Sequence, residues 1–130
     1  MARTISAAGM YNGREETRYR RITFADNGAT VTVCIVPKGG VVTDAGIVVT
    51  TVFNGTPPVL DIGPTSDTDG IATDLVLSTA GVVPADELDS TDDLGPYADD
   101  TAIVGVLSSG SNVTTGEGYI YVRFLVPIAS

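Results

Sequence analysis

The chain has no histidine, no tryptophan and a single cysteine, Cys34. Without histidine there is no Ser-His-Asp or Cys-His nucleophile system, and no imidazole to complete a zinc site. A lone thiol forms no internal disulfide, so cysteine usage gives no sign of an oxidising compartment. Positive charge is scarce as well: seven Lys and Arg face 16 Asp and Glu in 130 residues, a net charge of −9. Apolar runs are short. Thr and Gly interrupt them well before the ~20 residues that a membrane helix needs, and no apolar stretch follows Met1-Ala2-Arg3 as a secretory signal demands. The sequence therefore predicts a protein made in a reducing cytoplasm, without a membrane segment.

What positive charge exists is concentrated at one end. Arg3, Arg14, Arg18, Arg20 and Arg21 against Glu15 and Glu16 leave residues 1–21 at +3, while the other 109 residues carry Lys38 and Arg123 against 14 acids, a balance of −12. This predicts residues 1–16 as a basic N-terminal arm and residues 17–130 as a single β domain. A chain of this length buries about two thirds of its unfolded surface. The body holds most of the 17 Val, 17 Thr and 9 Ile, side chains that lose rotamer freedom in helices and fit a pleated sheet. The predicted class is all-β.

Asn12-Gly13, Asn27-Gly28 and Asn54-Gly55 are turn signals, because the pair tolerates the positive φ of type I′ turns. Asn27-Gly28 lies between two alternating segments, 17–24 and 30–36, and predicts a hairpin across 17–36. Pro37-Lys38-Gly39-Gly40 ends the second segment. Further strands are expected at 47–53, preceded by a short one at 41–43, then at 59–62, at 71–77 (strand or irregular), at 101–107 and at 118–126. The last two are spaced as a hairpin. Seven or eight short strands with turns between them predict a β-sandwich or jelly-roll-like barrel. The expected core is Val33, Ile35, Val48, Val52, Leu60, Ile62, Ile103, Val104, Val106, Ile120, Val122 and Phe124.

Few groupings carry chemistry. Asp67-Thr68-Asp69-Gly70 has the opening of an EF-hand calcium loop, but alignment on Gly70 puts Thr65 at the first ligand position and Val76 at the last. Asp61 and Asp74 would supply further oxygens only if the loop folded back; turn-forming Asp, Ser, Thr and Gly account for the segment without a cation. Asp86, Glu87, Asp89, Asp92, Asp93, Asp99 and Asp100 crowd one loop with little apolar cover, a solvating surface rather than a catalytic carboxylate pair. Cys34 lies mid-strand without a basic sequence neighbour, as a structural thiol does. Asn54-Gly55-Thr56 and Asn112-Val113-Thr114 match glycosylation sequons and read as turns here. No cofactor is expected. The arginines, interleaved with Tyr11 and Tyr19, offer phosphate contacts, but the −12 body repels polyanions, so the partner expected is an acidic protein surface and not nucleic acid. Solubilising a sheet edge explains the same arginines equally well.

The succession Ile35-Val36-Pro37-Lys38-Gly39, Phe53-Asn54-Gly55, Leu60-Asp61-Ile62-Gly63, Asp67-Thr68-Asp69-Gly70 and Gly118-Tyr119-Ile120-Tyr121-Val122-Arg123-Phe124 resembles the capsid decoration, or cement, proteins of tailed-bacteriophage heads over roughly residues 30–126. The resemblance implies a non-enzymatic virion protein, made in the host cytoplasm, that binds the outer face of an assembled head. Its partner would be the major capsid protein, and its form a homotrimer. In that setting residues 1–16 are expected to order only on the capsid, with Arg3, Arg14 and Arg18 pairing with coat carboxylates and Arg20 and Arg21 beside them. The rival expectation is a carbohydrate- or receptor-binding sandwich, of a head fibre or tail component, using Tyr97, Tyr119 and Tyr121.

Overall fold

The computed structural model describes residues 13–85, 88, 92–110 and 113–127. Among the described residues there are eight strands: β1 Gly13–Thr23, β2 Thr30–Val36, β3 Val41–Thr51, β4 Val59–Pro64, β5 Ala72–Val76, β6 Gly81–Pro84, β7 Thr101–Ser108 and β8 Glu117–Pro127. They form two four-stranded antiparallel sheets, ordered β1-β8-β3-β6 and β2-β7-β4-β5. Strand β1 pairs with β8, β2 with β7, β3 with β6 and β4 with β5. The chain is thus a long hairpin folded at its midpoint and rolled up, and the rolling brings β3 against β8 and β4 against β7. This is the jelly-roll form of the β-sandwich.

Rolling overturns both expected hairpins. β1 and β2 lie in opposite sheets, and so do β7 and β8. Asn27 has φ −56°, which excludes the type I′ turn that its pairing with Gly28 suggests. Its side chain instead fastens an inter-sheet corner: Oδ1 accepts the Ser109 N–H and Nδ2 donates to the Gly110 carbonyl, both at 2.8 Å. The segments expected at 41–43 and 47–53 are one strand, β3. Residues 13–16, expected in the arm, are the first four positions of β1 and pair with Pro127 through Phe124.

The core lies between the sheets, and β8 shows its logic most simply. Gly118, Ile120, Val122, Phe124 and Val126 are buried while the residues between them are not. In β2 the alternation breaks. A register shift between Thr32 and Cys34 leaves Val33 as an extra residue, and a bulge of this kind reverses which side chains face inward. Val31, Cys34 and Val36 are buried, and Ile35 is 57% exposed. A similar shift between Val42 and Asp44 in β3 turns Ala45, Ile47 and Val49 inward. Of the expected core, Ile35 and Val52 are therefore exposed and Val33, Val48 and Val106 half-buried; Leu60, Ile62, Ile103, Val104, Ile120, Val122 and Phe124 are buried.

Candidate partner interface

Register builds a strip on the outer face of the β1-β8-β3-β6 sheet. Tyr19, Tyr121, Gly46 and Pro84 stand in one cross-strand row, and Arg21, Tyr119, Val48 and Val82 in the next. The rings of Tyr19 and Tyr121 are 6.4 Å apart and tilted by 49°. The hydroxyl of Tyr121 reaches Gly46, where a Cβ would stand 2.6 Å from it. Burial, and then the charge of Asp44, push the Tyr121 phenol above its ordinary pKa. Tyr19 and Val82 are 63% and 64% exposed. Ion pairs border the strip: Arg21 with Glu117, and Arg123 with Glu15 (3.5 Å) and Asp44 (3.8 Å). Exposed pairs of this kind add little stability. Exposed Tyr and Val beside Arg, bordered by charged pairs, are instead the composition of protein–protein contacts.

The arginines singled out in the sequence do not form one patch. Arg14, Arg18 and Arg20 share the side of β1 that ends in buried Ile22, whereas Arg21 lies on the opposite side, beside Tyr19. Glu16 accepts from both Arg14 and Arg18. The Arg14 hydrogen bond, with the positive charge of both arginines, holds its carboxyl below the ordinary value. Arg20 reaches across to the other sheet and donates to the Thr32 carbonyl of β2 at 3.3 Å. Arg3 lies outside the described residues.

Tyr97 is buried, and its hydroxyl donates to the Asp93 carbonyl at 2.7 Å. It is a packing residue and not part of an aromatic platform; Tyr19 takes its place beside Tyr119 and Tyr121. Strand parity makes Tyr119 and Tyr121 neighbours in the sequence itself, but only the β1–β8 register adds Tyr19.

Asp67, Asp69, Asp92 and Asp93 surround Gly70 and Thr73 at an open depression. The carboxyl of Asp67 is raised by its hydrogen bond with Asp69 and by the charges of Asp69 and Asp93. Asp61 does not join them, because its Oδ1 accepts the Asp74 backbone N–H at 2.8 Å. Among the described residues no group of three or more His, Cys, Asp or Glu side chains is disposed to hold a metal ion. Asp86, Glu87 and Asp89 fall outside the described residues. Cys34 is buried, which pushes its thiol up to about 11.

Two solved structures share this arrangement of strands. One is a chain of the cyanophage Pam1 capsid asymmetric unit, 20% identical, with a TM-score of 0.70 over 97% of this chain and 94% of that one. The other is a chain of the acid-stable capsid of Helicobacter pylori bacteriophage KHP30, 14% identical, with a TM-score of 0.61 over 88% of this chain and 94% of that one. At these identities the likeness is one of fold. No protein-family model and no curated protein sequence matches the chain.

Proposed function

We propose that this chain is a non-enzymatic structural protein of a phage head, seated on the outer surface of the assembled shell and bridging neighbouring coat subunits. The observation that carries the reading is the near full-length likeness to chains from two phage capsids, each little larger than the shared fold. The surface agrees with it. The Tyr19, Tyr119, Tyr121 and Val82 strip offers a docking face, and the chain has no histidine to serve as a general base.

The mechanism is mass action. A protein that binds only the assembled lattice shifts the equilibrium toward that lattice, and many weak contacts repeated over a shell do so together. As a trimer each molecule engages several coat subunits, and the first contact raises the effective concentration for the others. The major capsid protein is the partner. Arg3, Arg14, Arg18, Arg20 and Arg21 contribute salt-sensitive contacts to its carboxylates, while the tyrosine strip contributes contacts that salt does not screen.

The test is co-sedimentation with shells assembled from the coat protein alone, beside light scattering of the free protein. Wild type is expected to decorate the shells and to have the mass of a trimer. The variant Tyr19→Ser/Tyr119→Ser is expected to keep its melting temperature and lose decoration. Shells that remain bare with wild type, or a double variant that binds at full occupancy, would overturn the reading. A second reading, glycan binding, is favoured by the same exposed pair of rings; saturable glycan binding abolished by the double variant would establish it instead.

A further inference from the structure

Among the described residues β1 is the edge strand of its sheet, and its hydrogen-bonding parity can be fixed. The β1–β8 ladder runs through eleven pairs without a register shift. One residue beyond it, the Phe24 N–H donates to the Gly116 carbonyl at 3.1 Å. Bonded and non-bonded positions alternate along an antiparallel pair, so Arg14, Glu16, Arg18, Arg20 and Ile22 exchange their backbone bonds with β8. Glu15, Thr17, Tyr19 and Arg21 turn their N–H and C=O groups to the open side. Two neighbouring contacts agree: the Thr23 N–H goes to the Asp26 carboxylate, not to β8, and the Arg18 guanidinium reaches the Thr17 carbonyl.

An open edge of this length accepts another strand of about eight residues. The side chains decide which. A strand laid along β1 places alternate residues beside Arg14, Glu16, Arg18 and Arg20, three cations to one carboxylate, and the others beside Glu15, Thr17, Tyr19 and Arg21. Arg14 and Arg18 share the Glu16 carboxylate, but Arg20 donates to a neutral carbonyl. A neutral apolar strand would strip water from the Arg20 guanidinium without returning a countercharge. A second copy of β1 would set arginine against arginine, and like charges across a pair are destabilising. Arg20, held by the Thr32 carbonyl, stands at the margin between the two sheets, where an incoming carboxylate meets a full positive charge.

We infer that the free edge of β1 is a docking site for an extended acidic segment, which adds as a ninth strand with carboxylates alternating with β-branched or aromatic residues. Resting on the head assignment above, this names the element of the coat protein that is gripped: an acidic strand or tail. The charges that exclude other strands thereby select this one.

Amide exchange in the full-length, isotope-labelled protein tests it. Two nine-residue peptides serve as probes, one alternating Glu and Val, the other Lys and Val. In the free protein the amides of Thr17, Tyr19 and Arg21 are expected to exchange quickly and those of Arg18, Arg20 and Ile22 to be protected. The acidic peptide is expected to slow the first set and to bind about tenfold more tightly than the basic one. Arg18→Glu/Arg20→Glu should reverse that preference. The inference is overturned by fast exchange at Thr17, Tyr19 and Arg21 in saturating acidic peptide, by equal protection from both peptides, or by protection arising from a dimer paired through β1. The peptides need no shell, so the result is independent of whether the protein decorates heads. Thr17→Pro removes one outward N–H without touching the β8 ladder; shells still decorated at full occupancy by that variant would refute the edge while leaving docking through the sheet face intact.

Discussion

Tyr121 reaches over Gly46: a Cβ at position 46 would stand 2.6 Å from the phenolic oxygen, 2.6 Å from the Val83 carbonyl and 2.9 Å from the Pro84 Cα. The missing side chain on β3 is what lets the Tyr121 side chain settle there, with Tyr19 packed beside it.

Gly46→Ala is expected to destabilise the fold by roughly 1–3 kcal/mol, the usual cost of forcing extra atoms into a filled space. Two of the three clashes are with backbone, which cannot swing aside. A thermal melt should show a lowered Tm, and shell binding measured below the transition should weaken because Tyr121 is displaced. An unchanged Tm would mean that the sheet relaxes at no cost.

The bulge in β2 makes a sharp contrast between adjacent residues. Val36 is fully buried and Ile35 is 57% exposed. Val36→Ala should cost roughly 1.5–3 kcal/mol, from lost transfer energy and the cavity left behind. Ile35→Thr should fall within about 0.5 kcal/mol of wild type. Urea unfolding of the two variants decides it, and the reverse order would place the register shift elsewhere.

Stability should decline in alkali. Burial pushes the Cys34 thiol from 9.0 to about 11, so between those values the unfolded chain gives up a proton that the folded chain keeps. The folded state then binds more protons, and unfolding free energy falls as pH rises. The contribution is complete below pH 9 and lost as pH passes about 11. Burial raises the Tyr97 phenol as well, followed by the charge of Asp93, which acts in the same direction at higher pH. Urea midpoints at pH 8 and pH 10.5 should differ, and the difference should shrink in Cys34→Val. A midpoint flat across that interval would show that the thiol titrates as it does in water.

Strand β8 was legible because it alternates strictly, and β7 and β4 because short apolar runs there are bounded by turn signals. Ile120, Val122 and Phe124 face inward as their spacing requires. Where alternation failed, the cause was local: single extra residues in β2 and β3 reversed the inward face, and Val-Thr-Val-Cys-Ile-Val offers no sign of which residue is the extra one. Strand β6 is four residues long, too short for a pattern to announce it. The candidate interface was half legible. Tyr119 and Tyr121 share a face by spacing alone, whereas Tyr97 carries no mark of burial and Tyr19 none of its neighbour.

The sequence by itself determined the class of the protein: β-branched residues and frequent turns commit the chain to sheets, and the lack of histidine excludes histidine-based nucleophile systems. Only the tertiary structure decided what lies beside what. Asn27-Gly28 specifies a change of direction, but the choice between a hairpin and an inter-sheet corner rests on bonds to Ser109 and Gly110, some eighty residues away. The same holds for the arginines. Their clustering is written in the chain, yet their division into three on one side of β1 and one on the other is fixed by Ile22, which must face the core and so sets the parity of every residue before it.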